Sequence, residues 1–268
     1  MAVVNTVYIP TVSRLDMLER TIPRWLKWGI PVRLIVEPRE LVNHIELCGD
    51  MGWDMDMVRP VPLVQDHGGI GYARDFIVIN AKARRQKSII MSDDDVYPTT
   101  DPFPLLEEAS RPWCLGIGAY RSIHEYFTQG KIKGMRGVIL CPAGWGFSLY
   151  GLNVKIANRF GFDHKLHSFG EDAELMRQGI AHEYPWMIHC DVKCAFANKR
   201  GDPGGFAAIY GSNTERKIAE MQCQELIHKR WPDYTSAPPK RPRMAWSRFY
   251  DAWIPNWRER SALHGGHL

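Results

Sequence analysis

No apolar run in the chain approaches the roughly 20 residues that span a bilayer, and Met1-Ala2-Val3-Val4-Asn5 carries neither a charged n-region nor a cleavage site. A cytoplasmic protein with no membrane partner is the expectation. Cysteines number only six, and their one close pair, Cys190-x-x-x-Cys194, matches neither a zinc ribbon nor a redox CxxC. Disulfide scaffolds and structural zinc sites are thereby disfavoured, and reduced, mostly buried thiols are expected. Charge of one sign is not in large excess either: 34 Lys and Arg stand against 30 Asp and Glu. Internal repeats are absent, which argues against solenoids and propellers. What remains is ordinary for a globular protein, with 45% hydrophobic and 24% charged residues in a chain of 268. That length suits one large α/β domain, or one with a small appendage.

The most informative run is Ser92-Asp93-Asp94-Asp95, directly behind the apolar stretch Ser88-Ile89-Ile90-Met91. A continuous apolar run reads as a strand covered on both faces, and in open α/β sheets ligands bind beyond the carboxyl ends of strands. If the extended conformation continued, Asp93 and Asp95 would point to one side and Asp94 to the other. The first and third carboxylates would then share a divalent cation or a cation-bound diphosphate. The plainer alternative is a solvated acidic turn ahead of a helix that Thr100-Asp101-Pro102 begins.

Residues 1–120 alternate strand and helix patterns, the signature of successive βα units and a largely parallel sheet. Strands are expected at Val4 to Ile9 (stopped by Pro10), Val32 to Val36, Met57 to Leu63 and in the run before Asp93. Helices are expected at Leu15 to Trp28, Arg39 to Cys48 and Tyr72 to Arg85. Residues 121–228 are more mixed. Strands fit Trp113 to Ala119, Gly137 to Leu140 and Trp186 to His189, and helices fit Val154 to Phe160 and Asp172 to Gln178, the latter closed by Gly179. From Lys229 onward eight Lys and Arg face three Asp and Glu, interleaved with aromatics and prolines. Such an extension has the chemistry to follow a phosphate backbone and stack on unpaired bases, although solvated surface charge is a commoner use of basic residues.

Three segments stand in a recognisable order. Tyr8-Ile9-Pro10-Thr11-Val12-Ser13-Arg14 comes first, then Gly69-Ile70-Gly71-Tyr72-Ala73-Arg74-Asp75 leading to the Asp93–Asp95 run, then Phe169-Gly170-Glu171-Asp172-Ala173-Glu174-Leu175-Met176-Arg177. Together they resemble the nucleotide-sugar-dependent glycosyltransferases of the GT-A fold, over roughly residues 6–195. The resemblance implies a Rossmann-like, mostly parallel central sheet flanked by helices, with a nucleotide-sugar-binding half (1–120), an acceptor-binding and catalytic half (121–228) and the basic extension (229–268). It also implies a DxD motif holding Mn²⁺ or Mg²⁺. Pro10, Thr11, Arg14, Gly71, Arg74, Asp93, Asp94, Lys199 and Arg200 would bind the nucleotide-sugar, by default a uridine diphosphate sugar. Asp93, Asp95 and a late His, for which His189 is the candidate, would ligate the metal. Asp172 would be the base of an inverting displacement, with Glu171 beside it, and Trp145, Gly146 and Phe147 would meet the acceptor.

Physical chemistry supports these roles separately. Loss of a diphosphate needs neutralisation by a hard cation that prefers carboxylate oxygen, a helix start favours carboxylates, and one carboxylate must take the acceptor proton. Each residue also has a structural reading: Asp172 as an ordinary helix cap, Arg74 as an ion pair, His189 as a half-buried histidine, Phe147 as core. Soluble enzymes of this kind include phage-encoded ones that glycosylate hydroxymethylated pyrimidines, so the hydroxymethyl group of 5-hydroxymethylcytosine in DNA is the expected acceptor. No obligate protein partner is evident. The alternatives are a glycan, protein or small-molecule acceptor, a nucleotidyltransferase, and a non-catalytic DNA-binding module.

Overall fold

Val7 and Ile9 of strand β1 (Val7–Thr11) face one core and Tyr8 faces the other, as a two-sided buried strand requires. The computed structural model describes residues 6–62, 69–120, 136–140, 147–164, 166, 170–197 and 213–231. After β1 come α1 (Leu15–Leu26), β2 (Val32–Val36), α2 (Leu41–Asp50), β3 (Val58–Pro60), α3 (Gly69–Ala83), β4 (Ser88–Ser92), β5 (Val96–Pro98) and α4 (Phe103–Ala109). The second half adds β6 (Gly116–Tyr120), β7 (Val138–Leu140), β8 (Leu149–Asn153), α5 (Val154–Phe160), α6 (Glu171–Ala181), β9 (Trp186–Phe196) and α7 (Asn213–Arg230).

Among the described residues the strands form one sheet ordered β3-β2-β1-β4-β8-β6-β9-β5, with β7 also on β9. The first four run parallel, and β8 then enters antiparallel to both β4 and β6. The α/β class expected from the sequence, parallel first and mixed later, is the architecture found. Helices α1, α2 and α4 bury Leu18, Ile22, Trp25, Leu47 and Leu105 on one face. Helices α3, α5 and α6 bury Ile77, Val78, Ile156, Leu175 and Met176 on the other.

Some local expectations are corrected. Pro10 does not stop β1, which runs on to Thr11. The Val7 N–H bonds toward β2, so alternation turns residue 10 toward β4, whose pairing with β1 has already ended at Tyr8. The donor that proline lacks is therefore not needed. Helix α1 ends at Leu26, short of the expected Trp28, and buries Met17, Leu18, Thr21, Ile22 and Trp25. Gly179 does not cap α6 but lies within it, because a Cβ there would sit 2.4 Å from Leu115 Cδ2 and 2.8 Å from the Tyr184 carbonyl. Strands β5 and β8 and helix α7 had no sequence expectation, and β9 runs seven residues beyond the expected end at His189.

Candidate functional site

Strand β4 stops at Ser92, and the acidic run folds as a tight turn closed by the Val96 N–H donating to the Asp93 carbonyl at 3.2 Å. Strict alternation therefore fails here. Asp94 and Asp95 both meet Arg14, which donates from Nη1 to Asp94 Oδ1 at 2.7 Å and from Nη2 to Asp95 Oδ2 at 3.4 Å. Thr11 Oγ1 donates to Asp94 Oδ2 at 2.9 Å, and Thr21 Oγ1 to the Asp94 carbonyl at 2.9 Å. Asp94 is thus the keystone between this turn and the β1–α1 connection. Burial pushes its carboxyl up to about 7, opposed by Arg14 and reinforced by Asp95.

Asp93 turns elsewhere. Arg74 Nη2 donates to Asp93 Oδ1 at 2.9 Å, while Arg74 Nη1 is bonded to Glu171 Oε1. Arg74 is only 5% exposed and its guanidinium lies 5.7 Å from the centre of the Tyr150 ring. One buried cation thereby joins the two acidic motifs, whose carboxylates lie far apart in sequence. Burial raises the pKa of both Asp93 and Glu171, and Arg74 pulls each back down. Asp93 is the more open partner, its side chain 34% exposed against 6% for Glu171.

Asp172 is held differently. The backbone N–H groups of Phe147 and Ala173 donate to its Oδ2 and Oδ1 at 3.1 and 2.8 Å. It follows Gly170, the N-cap, whose φ of +86° suits a residue without a Cβ. Three acids, Glu171, Asp172 and Glu174, occupy the first turn of α6, and all three are buried. The helix dipole favours negative charge at this end.

Other expected residues fall elsewhere. Phe147 meets Asp172 through its backbone N–H, but its ring is 2% exposed and stacks on Trp186 at 5.8 Å, so the ring belongs to the core and is not offered to an acceptor. Gly71 serves packing, since a Cβ there would lie 2.7 Å from the Asp163 carbonyl. Pro10 is buried in β1 beside Ile35 of β2. His189 is not brought to the acidic turn. Its charged neighbours are Asp191, Glu108 and Glu107, burial lowers its pKa, and the strand pairing sets it three strands away from β4, about 14 Å at the usual spacing. Among the described residues no cluster of three His, Cys, Asp or Glu is arranged around a common metal position.

Trp145, Gly146, Lys199, Arg200 and the extension from residue 232 onward lie outside the described residues. Ala197, just before Lys199, donates its N–H to the Asp95 carbonyl at 2.7 Å. Sequence reasoning missed the bridging geometry of Arg74 and the contribution of Ser148, whose carbonyl accepts from the Asp93 N–H at 2.8 Å. For Arg74 the signal was present, a lone arginine on an otherwise apolar face of α3. Ser148 carried none.

The architecture, a mostly parallel central sheet flanked by helices, is consistent with a GT-A or nucleotidyltransferase-like fold. Among solved structures it is similar to the mannosyltransferase PcManGT from Pyrobaculum calidifontis, determined in complex with GDP-Man and Mn²⁺: the TM-score is 0.54 at 12% identity, over 97% of this chain and 83% of that one. HddC from Yersinia pseudotuberculosis, complexed with GMP-PN, is more remote, with a TM-score of 0.44 at 11% identity over 83% of this chain and 99% of that one. A197 from STIV has a TM-score of 0.44 at 12% identity, over 73% of this chain and 86% of that one. At these identities the likeness is one of fold. No protein-family model matches the chain, and a search of curated proteins finds no match. Among the described residues no helix is long and apolar enough to cross a membrane.

Proposed function

We propose that the chain is a divalent-cation-dependent glycosyltransferase that moves a sugar from a nucleoside-diphosphate sugar, by default a uridine diphosphate sugar, to a hydroxyl acceptor with inversion. The observation that carries this reading is the Asp93–Arg74–Glu171 bridge, which unites a donor-type acidic turn with an acceptor-type acidic helix start. The fold shared with a mannosyltransferase that binds GDP-Man and Mn²⁺ is consistent with it.

The donor set suits a hard cation. Asp93 and Asp95 offer carboxylate oxygens, with Asp95 close enough to raise the cost of ionising Asp93, and Mn²⁺ or Mg²⁺ commonly takes one or two carboxylates together with substrate phosphates. When bound, the ion supplies positive charge against the departing diphosphate. Beside it, Arg14 and Arg74 each keep a buried Nε–H with no acceptor among the described residues, suited to an acceptor-rich phosphate. The acceptor oxygen forms the new bond to the sugar carbon as the bond to the diphosphate oxygen breaks, and the electron pair leaves on the diphosphate. The hydroxyl proton passes to Asp172, whose two backbone hydrogen bonds fix its orientation while each oxygen retains a second lone pair. Glu171 holds Arg74 and orients the face on which the hydroxyl arrives.

The acceptor we propose is the hydroxymethyl group of 5-hydroxymethylcytosine in DNA. Its support is the sequence from Lys229 onward, basic and rich in Trp, Tyr and Phe, the composition expected for backbone contacts and for stabilising a base outside the stack.

The test is nucleoside-diphosphate release with Mn²⁺ and a panel of nucleotide-sugars, with and without hydroxymethylcytosine DNA, run beside Asp95→Ala. Metal-dependent release with one donor, lost in the variant, supports sugar transfer, and dependence on modified DNA supports the acceptor. Release indifferent to DNA removes that acceptor. Pyrophosphate instead of nucleoside diphosphate turns the reading to nucleotidyl transfer, and no turnover with any donor sinks both.

A further inference from the structure

Glu174 lies one turn into α6, two residues beyond Asp172, and is 2% exposed. A carboxylate this deep needs partners for both oxygens. Neither partner comes from the sheet. Arg230 Nη1 donates to Glu174 Oε1 at 3.2 Å, and Trp231 Nε1 donates to Oε2 at 2.8 Å. Arg230 Nη1 is also bonded to Asp163 Oδ2, in the loop that packs on Gly71 of α3. The same helix end supports the residues just ahead of α6. Cys223 and Ile227 form a small core with Leu166, and a Cβ on Gly170 would come within 2.7 Å of Ile227 Cδ1.

The three acids of the α6 first turn are therefore held from three directions: Glu171 by α3, Asp172 by the backbone before β8, and Glu174 by the end of α7. The third hold is made by the last described residues, Arg230 and Trp231, which open the basic extension, so the acidic helix and the root of that extension share a hydrogen-bonded joint. We propose that Arg230 and Trp231 are positioning residues: by gripping Glu174 they set the first turn of α6, hence Asp172. They touch no reacting atom. The effect on turnover rests on the sugar-transfer reading, whereas the effect on α6 does not.

Two readouts on the full-length protein test this. Trp231→Phe keeps the ring and removes the N–H, Arg230→Gln removes the charge, and Arg230→Lys keeps it. In the first two, amide hydrogen exchange over residues 171–176 is expected to quicken by about tenfold, the size of one lost hydrogen bond to a buried charge, while β1 to β4 stay protected. In the sugar-transfer assay kcat falls by a similar factor with donor KM within about twofold, and Arg230→Lys recovers most of the loss. Unchanged exchange over 171–176 in both variants overturns the proposal, as does faster exchange with unaltered kcat. If Trp231→Phe fails to fold, Arg230→Gln decides alone, its side chain being 37% exposed in the native protein. Absence of turnover in the native protein sinks the sugar-transfer reading and leaves the exchange result to judge the joint.

Discussion

The acidic turn on the parallel half of the sheet and Asp172 on the mixed half are secured by opposite means. On the parallel side, Asp94 and Asp95 are held by side chains, Arg14 and Thr11, reaching from the β1–α1 connection. On the mixed side, Asp172 is held by two backbone N–H groups that no side-chain substitution at the donors removes. The first arrangement exchanges charge for charge and is sensitive to every residue in it. The second fixes a carboxylate that has no salt bridge of its own among the described residues, which suits the proton-accepting role proposed for it. The Arg74 guanidinium reaches both, and the comparison can be broken most directly there.

Arg74→Met leaves Asp93 and Glu171 facing each other's charge in a buried space. A loss of about 3–5 kcal/mol in urea unfolding is expected, because removing one member of a buried ion pair strands the other. Sugar transfer should disappear with it. Retention of both stability and turnover would show that the two halves hold their acids independently.

A smaller effect sharpens the contrast through pH. Asp94 titrates near 7 in the folded protein and near about 3.9 unfolded, so between those values the native state binds the extra proton. Its contribution is fully present below about 3.9 and is lost as pH rises through about 7. Asp93 and Glu171, both raised, act in the same direction. Urea midpoints should therefore fall from pH 5 to pH 8, and Asp94→Asn should flatten that slope. An equal slope in the variant would assign the dependence to the other two groups.

Thr11→Val is expected to be the mildest, about 1 kcal/mol for one hydrogen bond to a carboxylate that keeps Arg14. Thermal unfolding measures it. A much larger loss would mean that Arg14 does not hold Asp94 unaided.

Much of this was legible in advance where the signal is local. Val32–Val36 and Val154–Phe160 were bounded correctly by their apolar periodicity alone, and the two acidic runs stand at a strand end and a helix start as their flanks indicated. What was hidden depends on partners distant in sequence. Pro10 within β1 is tolerable only because β4 stops pairing early. The turn at Asp93 breaks the alternation because a hydrogen bond closes it, and Arg74 finds Glu171 from 97 residues away. Phe147 looked like a stacking platform because a glycine and aromatic stretch has the same composition whether its rings face a ligand or a core. Strand β8, central in the sheet, was obscured for the same reason, with Gly151 between Tyr150 and Leu152 interrupting the apolar run.

Strand β9 also sets the order in which the acidic turn can be finished. Val96 pairs with Phe196, and the Asp95 carbonyl receives its hydrogen bond from Ala197. A chain emerging from the ribosome presents its parallel strands first, yet that carbonyl must wait for about a hundred more residues to be made. Until then the acidic turn lacks the backbone partner that Ala197 gives it, and the first turn of α6 waits longer still, for Arg230 and Trp231.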